Sequence, residues 1–272
     1  AGPAGPPPST VGAGGDRSWP QMTLGTVVPP VLYDLDGDDL LEVIAADERY
    51  VYVFGIDGSI WPGWPVNIGG AMMQAAVADL DDDGDPDIVI ASTAFTGPML
   101  HAFDASAAEL PGYPVPVPYQ SFTNTTCPVV ADLDGDSWLD AGVASEVGVS
   151  FFDRNGDALP GWPYLWPVSV NNPQWSAPAV GDIDGDGSLE VAVGNVNYPN
   201  WGVHVIRADG TAHPGWPQVI LPVYASPALA DLNEDGGLEI IVQEGDPGSQ
   251  GYRLWVWDHT GTPLPGWPKT IS

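Results

Sequence analysis

Short β-branched and aromatic runs recur along this chain, and none shows helical spacing with caps. Glu42-Val-Ile-Ala-Ala, Asp87-Ile-Val-Ile-Ala, Glu190-Val-Ala-Val-Gly and Glu239-Ile-Ile-Val are apolar after their opening acid, the pattern of a strand covered on both faces. Alternating runs follow, such as Val51-Tyr-Val-Phe, Val149-Ser-Phe-Phe and Leu254-Trp-Val-Trp. They lead into turns such as Asp57-Gly58, Asn155-Gly156, Asp209-Gly210 and Thr260-Gly261, a chemistry that favours the left-handed conformations closing hairpins. Each turn is followed by Pro-Gly-aromatic-Pro, at 62–65, 111–114, 160–163, 214–217 and 265–268. One unit therefore reads strand A, an acidic loop, strand B, strand C, a hairpin turn and strand D, and the chain is predicted to be all-β.

The acidic loop between strands A and B repeats most closely. Five nine-residue copies carry carboxylate or amide oxygens at positions 1, 3, 5 and 9: Asp34, Asp36, Asp38, Glu42; Asp79, Asp81, Asp83, Asp87; Asp132, Asp134, Asp136, Asp140; Asp182, Asp184, Asp186, Glu190; and Asp231, Asn233, Asp235, Glu239. Alternating oxygens on a tight loop suit a hard cation such as Ca²⁺, which takes about 6–8 oxygen ligands. Position 7 (Leu40, Asp85, Trp138, Ser188, Gly237) would add its backbone carbonyl, and glycine at position 4 or 6 (Gly37, Gly84, Gly135, Gly185, Gly187, Gly236) permits the sharp turn. An EF-hand opens on the same acids but needs a bidentate Glu at position 12 and flanking helices. Position 12 here is Ala45, Ile90, Val143, Val193 and Val242, all apolar, so the loop joins two strands. A solvated acidic turn would explain one copy; five with fixed spacing predict about five Ca²⁺ sites. First acids lie 45, 53, 50 and 49 residues apart, a period typical of a four-stranded propeller blade.

Loops such as Ala131-Asp-Leu-Asp-Gly-Asp and Gly181-Asp-Ile-Asp-Gly-Asp-Gly-Ser-Leu-Glu-Val-Ala-Val-Gly resemble the VCBS/FG-GAP repeats of bacterial surface proteins and integrin α-subunit heads, over about residues 26–268. The resemblance implies a calcium-binding β-propeller whose metal loops join the two inner strands of each blade. This chain has five repeats, where relatives commonly have seven. The expected organisation is a Pro/Gly-rich arm over 1–15 and a β-propeller of about five four-stranded blades over 16–272, with repeats beginning near 26, 71, 124, 174 and 223.

Composition narrows the partners. The formal charge is −30, with six Lys and Arg in all, so nucleic acid and anionic membrane are poor partners. Five bound Ca²⁺ would leave −20. No run of about 18 apolar residues exists to insert in a membrane. Gly and Pro total 64 residues, a bias that falls at the repeated turns. The single cysteine, Cys127, is expected as a small buried residue of strand A. Calcium sites of this kind fill where calcium is millimolar, which together with a start at Ala1 and no signal peptide leads us to expect a processed extracellular or cell-surface protein.

Catalytic constellations are weak, and the chain is expected not to be an enzyme. His101, His204, His213 and His259 fall at unmatched repeat positions, and Glu146, Glu244 and Asp246 in the B–C connections form no assignable acid pair. Asp57, Asp104, Asp153, Asp209 and Asp258 mark the C–D turns. Trp64, Trp162, Trp216 and Trp267, with Tyr113 in the same slot, are expected to pack between blades, whereas Trp138, Trp175 and Trp201 are candidates for a glycan or protein contact. Asn124-Thr125-Thr126 is the only glycosylation sequon. Trp19-Pro20 stands 15 residues before Asp34, as Trp64 does before Asp79, so Trp19–Leu24 reads as a D strand in excess of the five sets. These features favour a structural or adhesive surface module that engages a protein or glycan and self-associates through its N-terminal arm, with a head-to-tail filament as one outcome. The alternatives are a lectin and a polysaccharide-active enzyme such as a lyase.

Overall fold

The computed structural model describes residue 23 and residues 28–70, 73–93, 97–120, 125–166, 176–196, 201–245 and 252–271. Among them are 20 strands and no helix. The first sheet holds β1 (Val31–Tyr33), β2 (Glu42–Ala46), β3 (Tyr50–Phe54) and β4 (Val66–Asn67). The second holds β5 (Ala76–Ala78), β6 (Asp87–Ser92), β7 (Met99–Phe103) and β8 (Val115–Pro116), and the third β9 (Val129–Ala131), β10 (Asp140–Ser145), β11 (Gly148–Phe152) and β12 (Tyr164–Leu165). The fourth holds β13 (Ala179–Gly181), β14 (Glu190–Asn195), β15 (Gly202–Arg207) and β16 (Gln218–Val219), and the fifth β17 (Ala228–Ala230), β18 (Glu239–Glu244), β19 (Tyr252–Trp257) and β20 (Lys269–Ile271). In every sheet the strands lie in chain order and pair antiparallel, the order expected of A, B, C and D.

In the first four sheets the second and third strands are largely buried on both sides because alternate residues serve neighbouring sheets, whereas in the fifth Gln243 and Tyr252 are exposed. Val51, Val53 and Trp64 of the first sheet meet Ile88, Ile90 and Phe103 of the second. Leu100, Ala102 and Tyr113 meet Ala141, Val143 and Phe152 of the third, and Val149, Phe151 and Trp162 meet Val191, Val193 and Ile206 of the fourth. Val203, Val205 and Trp216 meet Ile240, Val242 and Trp257 of the fifth. The continuous apolar runs are thus consecutive side chains pointing into two cores at once. First strands of successive sheets approach each other in the order β5, β9, β13, β17.

Four of the five Pro-Gly-aromatic-Pro aromatics pack between sheets, as expected, whereas Trp267 is only half-buried. Trp64, Tyr113, Trp162 and Trp216 are all buried. Each reaches the C–D turn of the next sheet, Trp64 Nε1 donating to Ala105 O at 3.0 Å, Tyr113 Oη to Asp153 O at 2.9 Å, and Trp162 and Trp216 Nε1 to Ala208 O and His259 O at 2.8 Å. Two expectations need correction. Cys127 lies two residues before β9 and is half-buried, because the first strand is only three residues long. His101 and His204 are matched after all: they pair with Ile90 and Val193, both position 12 of their loops. The 1–15 arm, Trp19-Pro20, Asn124, Trp175 and Asp246 lie outside the described residues.

Candidate metal centres

Each nine-residue loop is built by carboxylates that fold the backbone around themselves. Position 1 accepts the N–H of position 6 in all five: Asp39 to Asp34 (2.9 Å), Gly84 to Asp79 (3.0 Å), Ser137 to Asp132 (3.0 Å), Gly187 to Asp182 (3.1 Å) and Gly236 to Asp231 (3.2 Å). Position 5 accepts the N–H of position 7, from Leu40, Asp85, Trp138, Ser188 and Gly237, at 2.8–3.0 Å. Position 9 reaches back to the N–H of position 2, Leu35 to Glu42, Leu80 to Asp87, Leu133 to Asp140, Ile183 to Glu190 and Leu232 to Glu239, at 2.7–2.9 Å. At positions 5 and 9 these bonds take one oxygen of the carboxylate, while at position 1 Asp34, Asp79 and Asp231 accept backbone N–H groups on both oxygens.

The loop carboxylates converge. Ligand atoms of Asp34, Asp36 and Glu42, of Asp79, Asp81 and Asp87, of Asp132, Asp134 and Asp136, and of Asp182, Asp184 and Glu190 lie within 4.8 Å of one another in each group. Asp132 Oδ1 and Asp182 Oδ1 are buried with no hydrogen-bond partner. A buried, unpartnered carboxylate oxygen is costly, and a cation between these carboxylates would satisfy it. Burial pushes Asp87 up to about 6 and Asp140 up to about 7, with neighbouring Asp81 and Asp83, or Asp134 and Asp136, adding repulsion. Glu42 and Glu190 are raised for the same reason, burial first. Clustered oxygens, an orphaned lone pair and carboxylates reluctant to ionise without a counter-charge all fit a hard divalent cation.

The fifth loop departs from the others. Asn233 Nδ2 donates to Glu239 Oε1 at 2.8 Å, while Asn233 Oδ1 accepts the N–H of Asp235 at 2.8 Å. An amide N–H thus occupies a place where the other loops present a carboxylate oxygen. The fourth loop has an outside partner, His213 Nε2 standing 3.1 Å from Asp184 Oδ2, which holds the Asp184 carboxyl below the usual range. Sequence reading also missed the full turn requirement. Positions 4 and 6 are both left-handed in every loop, including the non-glycine residues Asp39, Asp82, Ser137 and Glu234.

The other singled-out residues have structural partners. His101 lies 2.7 Å from Glu109 and 3.2 Å from Ser92, with burial lowering its pKa; His204 lies 3.1 Å from the Tyr164 hydroxyl. Glu244 is buried and ion-paired to Arg253, and Glu146 accepts the N–H of Gln120 at 2.5 Å. The five turn aspartates accept their own turn's N–H groups at 2.8–2.9 Å. Trp138 is covered by the Arg154 guanidinium at 3.4 Å.

The FG-GAP-like repeat model matches residues 34–90, 132–193 and 182–242, more than half of the chain, and the protein belongs to that family. Each match opens on the first acid of one loop and closes on position 12 of another. No curated protein matches by sequence. Among solved structures, the V. cholerae biofilm matrix protein Bap1 is similar over 91% of this chain and 39% of its own, at 21% identity and a TM-score of 0.61. The chain thus spans well under half of Bap1, and the likeness is one of fold. An Agrocybe aegerita lectin that recognises non-reducing terminal N-acetylglucosamine is similar over 89% of this chain and 65% of its own, at 15% identity and a TM-score of 0.46. The Pseudomonas aeruginosa PilY1 C-terminal domain covers 86% of this chain and 50% of its own, at 15% identity and a TM-score of 0.42.

Proposed function

We propose that this protein is an extracellular, non-enzymatic module in which five sheets, as consecutive blades of a β-propeller, are tied at their A–B loops by Ca²⁺ and present a structural or adhesive surface. The observation that carries this reading is the backbone wiring shared by the five loops, with three carboxylates in each of the first four bringing ligand oxygens within 4.8 Å of one another. Asp34, Asp36, Asp38 and Glu42 would hold the first ion, and the matching residues of the second, third and fourth loops the next three, with the carbonyls of Leu40, Asp85, Trp138 and Ser188 in support. Asp231, Asn233, Asp235, Glu239 and the Gly237 carbonyl form a fifth, weaker site. The bound ion supplies charge neutralisation; the chain supplies the oxygens and the turn. The surface location rests on the millimolar calcium such sites need and on the biofilm matrix role of Bap1, whose fold is similar.

The expected partner is a protein or glycan at the cell surface, not nucleic acid or the membrane interior, and among the described residues no helix is long and apolar enough to cross a membrane. A lectin reading is favoured by one feature, a cleft of about 740 Å³ beside the first loop, lined by Asp36, Asp38, Leu40, Ile56 and Trp61 among others; a volume of this size suits a small ligand. The test of the main reading is calcium titration with thermal melting. Saturation at about 100 times the dissociation constant stabilises by about 2.7 kcal/mol per site, so excess chelator should lower Tm sharply. An unchanged melting curve removes the calcium reading, and a glycan array separates lectin from scaffold.

A further inference from the structure

The residue just before each Pro-Gly-aromatic-Pro occupies one slot in all five sheets. Trp61, Leu110, Leu159, His213 and Leu264 each donate the backbone N–H to the third strand of their own sheet, at 2.8–3.1 Å. Leucine fills the slot in three sheets and an indole in the first, and neither side chain has a lone pair to offer a metal. The fourth sheet puts an imidazole there. His213 is 5% exposed, its carbonyl accepts the N–H of Trp216 at 3.1 Å, and its ring lies against that of His259 in the fifth sheet, with 6.5 Å between centroids. Held in this way, the ring meets an oxygen on each side. Nδ1 stands 3.1 Å from Pro214 O, and Nε2 stands 3.1 Å from Asp184 Oδ2, at position 3 of the fourth loop.

A neutral imidazole carries one N–H, so one of these two contacts sets a lone pair against a lone pair. The Pro214 carbonyl can only accept, and with the ring proton on Nδ1 the Nε2 lone pair faces the Asp184 carboxylate. This is how a metal-ligating histidine is oriented, its second nitrogen donating to a backbone carbonyl. A proton on Nε2 would also relieve the contact with Asp184, but it would leave the rest of the loop as it is. Asp182 Oδ1 is buried with no hydrogen-bond partner, and ligand oxygens of Asp182, Asp184 and Glu190 lie within 4.8 Å of one another. A cation set among these groups answers both the orphaned oxygen and the facing lone pairs. We propose that His213 Nε2 is a ligand of the cation in the fourth loop, and that this loop takes a first-row transition ion of the Zn²⁺ type in preference to Ca²⁺. Calcium is a hard ion served by oxygen, whereas imidazole suits zinc and its neighbours, and no other loop has a histidine in this slot. The inference rests on the cation reading of the loops and alters it at one of them.

The test adds an equimolar amount of Zn²⁺ to the full chain in excess Ca²⁺, so that the other loops are already filled. Calorimetry should show a single zinc bound against that calcium, and anomalous diffraction at the zinc edge should place it at His213 Nε2 and Asp184. His213→Leu carries the residue type of the second, third and fifth sheets, and its melting in calcium reports whether it has folded. It should weaken zinc by about tenfold or more, since losing even an outer partner of a bound metal costs about 10–100-fold. The diffraction result decides the matter if that variant does not fold. Zinc that is not retained against calcium, zinc that lies away from His213, at His259 for example, or uptake unchanged in His213→Leu overturns the assignment. Failure of the calcium reading is seen separately, as a parent chain that takes up no calcium in the absence of zinc.

Discussion

Each acidic loop asks two residues to adopt a left-handed backbone, and the chain meets that demand with glycine only part of the time. Ser137 at φ 78° and Glu234 at φ 62° carry a Cβ in a conformation costing an ordinary L-residue about 1–2 kcal/mol. Ser137→Gly and Glu234→Gly should each stabilise by up to about 1 kcal/mol after the glycine's extra chain entropy is deducted, read as a rise in Tm. Gly135→Ala, a left-handed position at φ 77°, should lower it, although a Cβ there has open space around it; equal Tm values across the three would remove the backbone argument. Asn233 sets a different residue-scale expectation. Its amide donates to Glu239, so Asn233→Asp replaces a donor with a ligand oxygen and should tighten calcium at the fifth loop, adding a site of higher affinity in a calorimetric titration. A titration identical to that of the parent protein would show that the amide is no hindrance.

At the scale of strand and loop, the order A, B, C, D was legible because turn chemistry, apolar runs and acids repeat in phase. Burial on both faces of β6, β10 and β14 was readable from unbroken apolar runs, and inter-sheet packing of Trp64, Trp162 and Trp216 from their fixed slot beside proline. What stayed hidden depends on partners distant in sequence. Nothing near Trp162 names Ala208, 46 residues away, as its acceptor, and nothing near Asp184 names His213. The departure of the fifth loop was half legible, since Asn233 is visible in the sequence but the direction of its amide is not. Loop carboxylates also set a pH dependence. Burial raises Asp87 to about 6 and Asp140 to about 7 without a cation, against about 3.9 in an unfolded chain. A raised folded-state value means the stabilising contribution is full below pH 3.9 or so and is lost as pH climbs through about 7. With chelator present, Tm should therefore fall between pH 4 and 8. With calcium saturating, protons compete with the ion, so Tm should rise over the same interval. Parallel curves would mean that these carboxylates do not meet the ion.

The whole molecule must hold a formal charge of −30 together, and repulsion among like charges opposes the compact state. Because 19 of its 36 acids sit at positions 1, 3, 5 and 9 of the five loops, a cation bound there would act where this charge is densest, and neutralising a loop would relieve its own crowding. Screening by monovalent salt is the weaker substitute. The Debye length falls from about 10 Å at 0.1 M to about 3 Å at 1 M, which covers the separations between loops but leaves buried carboxylates within 4.8 Å of one another mostly unscreened. Raising sodium chloride from 0.1 to 1 M should accordingly lift the Tm of the chelated protein without reaching that of the calcium-loaded one, and should change the loaded protein much less. Parallel melting series at fixed pH read both effects. Full recovery by sodium chloride would reduce calcium to a diffuse counter-ion. No response of the chelated protein to either salt would show that the carboxylates are not what destabilises the ion-free fold.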